Sequence, residues 1–265
     1  MADRSPTSEP PAGFLPRVLP IAGLASIAVL ALAWCDLLPG GYFLRRLVDA
    51  NSARSQRELA LHAAERLRAF ANENEHVAPD AIVFIGSSTI ERFPLAECFP
   101  GKPCVNRGIL SASAPMLEHF ADLLAPKTAR GGIVVYAGSI DLRAPGDSAD
   151  AAHADSVATQ VMSLVGKLHA DHADVPFAMI GVLPARRMST AEVESLARLN
   201  AKLRNAAHER GIAFIDVARA PITSPAASLA EEQSADDLHL DRRGYETLAR
   251  WILTDGAELG RRLSP

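Results

Sequence analysis

Ser88 and His239, two side chains able to share one proton-transfer task, lie far apart along the 265 residues. Ser88 stands in Ile85-Gly86-Ser87-Ser88-Thr89-Ile90, directly after an apolar run, and His239 closes Asp236-Asp237-Leu238-His239 near the chain's end. A serine at a strand end where a helix starts has its own backbone N–H as a donor toward an oxyanion, yet it is a weak nucleophile until a base takes its proton. His239 is the candidate base. Asp236, three residues earlier, can hold the imidazole Nδ1–H, set the tautomer and stabilise the imidazolium. That combination performs acyl transfer: Ser88 attacks an ester carbonyl, His239 passes the proton to the leaving alcohol, and water hydrolyses the acyl intermediate. No metal or organic cofactor is required.

Plainer uses compete with this reading. Gly-Ser-Ser can simply cap a helix, and a histidine can be structural. An α/β-hydrolase elbow fits less well, because Ile90 stands where the second glycine of Gly-x-Ser-x-Gly belongs. His169-Ala170-Asp171-His172 has metal-like spacing without a third ligand, and reads as a solvated helix end.

The elements that must position these groups follow from hydrophobic patterning. Ala81 to Ile85, Cys104 to Asn106, Gly132 to Tyr136, Phe177 to Val182 and Ala213 to Val217 are short apolar or β-branched runs, predicting five strands. Helical patterns separate them. Val157, Val161, Leu164, Val165 and Leu168 mark one helix face, and Ser189 with Glu192 predicts a capping box ahead of Val193, Leu196, Leu199 and Leu203. Asp241 is placed to cap a last helix carrying Tyr245, Leu248 and Ile252. Strands this apolar must be covered on both faces, which predicts a parallel five-stranded sheet in a three-layer αβα sandwich, with ligands beyond the strands' carboxyl ends.

Four blocks in order, from about Asp80 to Leu253, resemble the SGNH, or GDSL-like, hydrolase family. Gly86-Ser87-Ser88 is similar to its Gly-Asp-Ser block, with Ser87 at the aspartate and Ser88 at the nucleophile. Asn106-Arg107-Gly108 resembles the block whose glycine N–H helps form the oxyanion hole. Gly138-Ser139-Ile140-Asp141 corresponds to Gly-x-Asn-Asp, and Asp236 to His239 to Asp-x-x-His. The resemblance implies a flavodoxin-like fold and a serine esterase with Ser88, Asp236 and His239 as catalytic residues and the N–H groups of Ser88 and Gly108 as oxyanion donors. Small acyl esters are the implied substrates, O-acetylated sugars among them. Ile140 replaces the oxyanion asparagine and cannot donate a hydrogen bond, so Asn106 and Ser139 become the polar side chains expected to contact substrate. The same loss keeps two alternatives open, a weakened SGNH-fold binding or scaffolding protein and an O-acyltransferase. Asp141 reads as structural, since Asp236 already supplies the acid.

Composition bounds the rest. The chain is 48% hydrophobic and carries 27 basic against 31 acidic side chains, so no nucleic-acid partner is expected. Three cysteines exclude a disulfide-dense or zinc-built fold. Residues 1–17 read as a disordered tail. Val18 to Cys35 is an uncharged apolar run of 18 residues, reaching roughly 27 Å as a helix, close to a bilayer's hydrocarbon thickness. Residues 18–38 therefore read as a transmembrane anchor, with a cleaved signal segment as the competing reading. Residues 39–78 read as a linker and an amphipathic helix, with Leu59, Ala63, Leu67 and Phe70 on its apolar face. Residues 79–265 form the catalytic domain. Cys98 and Cys104 flank a Pro-Gly-Lys-Pro turn, so a disulfide and two free thiols are both open; the disulfide would place the domain outside the cytoplasm. Oligomeric state is not legible.

Overall fold

The computed structural model describes residues 53–143, 150–224 and 227–264. The apolar run at 18–35 lies outside them, and among the described residues no helix is long and apolar enough to cross a membrane.

Helix α1 (Ala53–Glu73) leads into β1 (Ile82–Gly86), followed by the short helices α2 (Ser88–Glu91) and α3 (Leu95–Cys98), then β2 (Cys104–Gly108). Next come α4 (Ala114–His119), α5 (Ala121–Leu124), β3 (Gly132–Tyr136), α6 (Ser139–Leu142), α7 (Ala151–Asp171) and β4 (Phe177–Ile180). The chain continues through α8 (Thr190–Glu209), β5 (Ala213–Ile215), α9 (Arg242–Asp255) and α10 (Ala257–Leu263). The sheet is parallel throughout, in the order β2-β1-β3-β4-β5.

Alternation along the strands builds a core on each face of this sheet. Val83, Ile85, Ile133, Val135 and Met179 pack with α1, α4, α5, α7 and α8. Ile82, Phe84, Val134, Tyr136 and Ile180 pack instead with Ile90, Phe93, Phe99, α9 and α10. Both sheet faces are covered, giving the expected three layers.

Local sequence accounts for the main helices. Ser189 accepts the Glu192 N–H while the Glu192 carboxylate accepts the Ser189 N–H at 2.7 Å, completing the capping box of α8. Asp241 accepts the Gly244 N–H at 2.8 Å and starts α9.

Several expectations need correction. β2 extends two residues further, to Gly108, because Arg107 is fully buried in it. Its guanidinium sits 4.7 Å from the Phe70 ring centre, donates to Asn74 at 2.8 Å and pairs with Glu73. β5 ends at Ile215, since the Asp216 carboxylate accepts the Ala218 N–H and starts a 3₁₀ turn. α9 is not the last helix, as α10 follows it. His172 is not solvated: it is buried at the end of α7 and its Nε2 bonds the Ala125 carbonyl at 3.2 Å. Of the two readings left open for Cys98 and Cys104, the structure has separate thiols. Burial pushes Cys98 up to about 11, helped by Glu246 and Glu97, and pushes Cys104 up to about 12.

Candidate active site

In the order β2-β1-β3-β4-β5 the winding reverses between β1 and β3, and sheets of this kind bind ligands beyond the carboxyl ends of the strands at such a reversal. Ser88 follows β1 and Ser139 follows β3, so the topology itself brings both to that reversal.

Gly86 makes the first turn possible. A Cβ there would lie 2.3 Å from the Tyr136 carbonyl oxygen and 2.6 Å from Ile90 Cγ1, so a side chain would push the turn off the neighbouring strand. Ser87 is extended, and its carbonyl accepts the N–H groups of Ile90 and Glu91 at 3.0 Å each. Ser88 thereby becomes the first residue of α2, where an N–H has no acceptor within the helix. The final layer steadies this helix: the Tyr245 hydroxyl of α9 donates to the Thr89 carbonyl at 2.9 Å, and its ring packs 5.1 Å from that of Phe93.

Ser88 Oγ lies 3.1 Å from His239 Nε2, and His239 Nδ1 lies 2.9 Å from Asp236 Oδ2. The carboxylate can only accept, so Nδ1 carries the proton and Nε2 is left to accept from the serine hydroxyl. Asp236 Oδ1 accepts the N–H groups of Leu238 at 2.7 Å and His239 at 2.8 Å, fixing the turn between acid and imidazole. Burial alone would raise the Asp236 carboxyl; the His239 ring, with the His239 and Leu238 N–H groups, outweighs it and brings the carboxyl down to about 2. Ser88 and His239 are only 4% and 5% exposed, which keeps most of this relay out of bulk water.

The other residues singled out from the sequence have different partners. Gly108 and Asn106 are bonded to each other: the Gly108 N–H donates to Asn106 Oδ1 at 2.9 Å, so it is already committed. The Asn106 amide donates to the Ile90 carbonyl at 2.6 Å, stitching β2 to α2 rather than facing substrate. Gly108 is needed for that contact, since a Cβ would come within 2.0 Å of the Glu91 backbone nitrogen. Ser139 is buried with its hydroxyl 3.3 Å from that of Ser87. Ile140 is half-buried in α6 and offers no side-chain donor. Asp141 is structural: both carboxylate oxygens lie 3.1 Å from the Ala114 nitrogen at the start of α4, and burial pushes its carboxyl up.

Sequence reasoning missed Glu91. Its carboxylate accepts the Leu110 N–H just beyond β2 and lies 2.7 Å from His62 Nε2 of α1. Nothing in the local pattern separates it from a solvated helix acid.

A cavity of about 710 Å³ between α1 and β2 is lined by Arg66, Glu73, Asn106 and Arg107, and does not include Ser88 or His239. Hydrogen-bond geometry, not cavity size, therefore locates the site.

Comparison with known proteins bears on the family and the fold. Residues 93–247, more than half of the chain, match the GDSL-like lipase/acylhydrolase family; the match includes Asp236 and His239 and begins just after the Ser88 turn. The structure is similar to a GDSL-like lipase from Bacteroides thetaiotaomicron at 18% identity, with a TM-score of 0.62, covering 72% of this chain and 97% of that one. It is also similar to an acetylxylan esterase from Geobacillus stearothermophilus, solved as a catalytic mutant, at 16% identity and a TM-score of 0.52, covering 68% and 95%. At these identities the likeness is one of fold. No curated protein matches the chain. The matched length, the parallel sheet and the ordered blocks lead to one assignment: the chain is a hydrolase and belongs to the GDSL-like lipase/acylhydrolase family.

Proposed function

We propose that the protein is a serine esterase that cleaves a small acyl ester through an acyl-enzyme on Ser88. The observation that carries this reading is the continuous relay from Ser88 Oγ through both nitrogens of His239 to Asp236. His239 takes the hydroxyl proton as Ser88 attacks the carbonyl, then gives it to the departing alcohol; water, activated by the same imidazole, releases the acid. Asp236, held ionised, stabilises the imidazolium. The Ser88 N–H at the start of α2 is the backbone donor toward the oxyanion. The low exposure of Ser88 and His239 favours a short acyl group, and the likeness in fold to an acetylxylan esterase supports acetyl esters of sugars as candidates.

Residues 18–38 anchor the protein in a membrane in this reading. The length and apolar character of the run support it.

One observation favours a second reading, a slow hydrolase or a binding protein on the same fold. The expected Gly108 N–H is bonded to Asn106, and Ile140 stands where the family has a donor, which leaves the Ser88 N–H as the expected donor not so engaged. Turnover of 4-nitrophenyl acetate separates the two: the esterase reading expects hydrolysis that Ser88→Ala abolishes with the fold intact, whereas equal turnover by both proteins contradicts it.

A further inference from the structure

Asp237 is a buried carboxylate that the relay does not use. It follows Asp236 directly, yet turns the opposite way: its carboxylate oxygen Oδ1 is 3.1 Å from Arg186 Nε and 3.0 Å from an Arg186 terminal nitrogen. The two residues are joined a second time through the main chain, where the Arg186 N–H donates to the Asp237 carbonyl at 2.8 Å. Arg186 lies beyond β4, in a segment tied to its surroundings at two other points. The Ala185 carbonyl accepts the Leu229 N–H at 3.0 Å, and Arg143, just after α6, donates to the Leu183 carbonyl at 2.7 Å.

We propose that Arg186 is a positioning residue for the relay, gripping Asp237 by side chain and main chain so that the Asp236–His239 turn stays in register with Ser88. The inference rests on the serine-esterase reading of that relay. The turn is closed within itself by the bonds that Asp236 accepts from Leu238 and His239, and by the Ala235 N–H donating to the His239 carbonyl at 2.8 Å. Those bonds fix its shape but not its place relative to α2. That place is held on one side by α9, whose Tyr245 hydroxyl donates to the Thr89 carbonyl of α2, and on the other by Arg186. Arg186 also balances a second negative charge one residue from Asp236, in a setting where an unpaired carboxylate is costly. Glu231, 3.8 Å from the same guanidinium, is largely exposed and competes weakly.

Arg186→Ala keeps the main-chain bond and removes the ion pair, loosening the hold on the Asp236–His239 turn. A displacement of about 1 Å at a catalytic group can cost on the order of 10²-fold in rate. The expected result with 4-nitrophenyl acetate is a fall in kcat of that order with KM changed less than severalfold. Arg186→Lys, which retains the charge, should recover part of the rate, and Arg186→Ala combined with Asp237→Asn should be faster than Arg186→Ala alone. All assays run well below each variant's melting temperature. Full kcat in Arg186→Ala, while Ser88→Ala is dead, overturns the positioning role and leaves the esterase reading intact; activity in Ser88→Ala overturns the esterase reading itself. Should Arg186→Ala fail to fold by circular dichroism, Arg186→Gln and Asp237→Asn are read in its place. Under the proposal both lose kcat at least severalfold, and wild-type kcat in both contradicts it.

Discussion

The Gly108 N–H donates to Asn106 Oδ1 across a single intervening residue, closing the end of β2 on itself at the carboxyl edge of the sheet. The same amide reaches the Ile90 carbonyl, so one side chain holds the strand that ends beside the nucleophile turn and the helix that begins there. Asn106→Ala removes both bonds and takes the acceptor from the Gly108 N–H, while the Ile90 carbonyl keeps the Phe93 N–H, a loss of about 1–3 kcal/mol. Denaturant unfolding should show that loss. Unchanged stability would mean that water replaces the amide without cost.

Ile140→Asn places an amide where the family carries its oxyanion donor. An N–H aimed at developing negative charge contributes more to the transition state than to the neutral ester, so the gain should appear in kcat more than in KM. Loss of such a donor costs roughly 10²- to 10³-fold in other hydrolases, which bounds the gain from above. Thermal stability is measured on the same sample. A stable variant with unchanged or lower kcat would show that the protein completes its oxyanion hole elsewhere.

The boundary expected at residue 79 cuts through contacts that residues 53–78 make with β2, α2 and α5. Arg66 donates to the carbonyls of Gly108 at 3.2 Å and Asn106 at 3.4 Å, Asn74 donates to Leu123 at 2.8 Å, and His62 meets Glu91. A chain beginning at residue 79 strips the fully buried Arg107 of Glu73, Asn74 and the Phe70 ring. The same cut removes Ala63, Leu67 and Phe70 of α1 from the core on that face of the sheet. We expect a chain starting near Asn51 to melt cooperatively and one starting at residue 79 to melt at a much lower temperature or remain unfolded. Equal melting temperatures would show that α1 is dispensable.

These contacts also explain what was legible in the sequence. The five strands and the faces of α7, α8 and α9 were readable because burial on both sides of a parallel sheet leaves uninterrupted apolar runs and period-3.6 helices. Ser88, Asp236 and His239 were readable because a local turn couples the last two and a strand end presents the first. Arg107 concealed the end of β2, since a charge reads as a strand boundary unless its partners from α1 are known. Glu91, Arg186 and the use of the Gly108 N–H depend on contacts between segments distant in sequence, which composition and spacing do not record.

Asp236 gives a pH signature. Its carboxyl sits at about 2 in the folded protein against an ordinary 3.8, so the folded state favours the ionised form. The stability this provides is complete above the ordinary value and disappears as pH falls through the folded one. Relative to Asp236→Asn, the wild type should therefore hold a constant advantage at neutral pH and lose it between about pH 4 and about pH 2. Melting curves of both proteins across that range test this, and a constant difference would contradict the lowered Asp236 carboxyl.

Fluorophosphonate labelling followed by intact mass and peptide analysis tests the central claim most directly, because the reagent reacts rapidly only with a serine whose proton a neighbouring base removes. The wild type should gain a single adduct on Ser88, while His239→Ala, folded by circular dichroism, should label far more slowly and Ser88→Ala not at all. Absence of labelling in the folded wild type, or an adduct on another serine, would contradict the account.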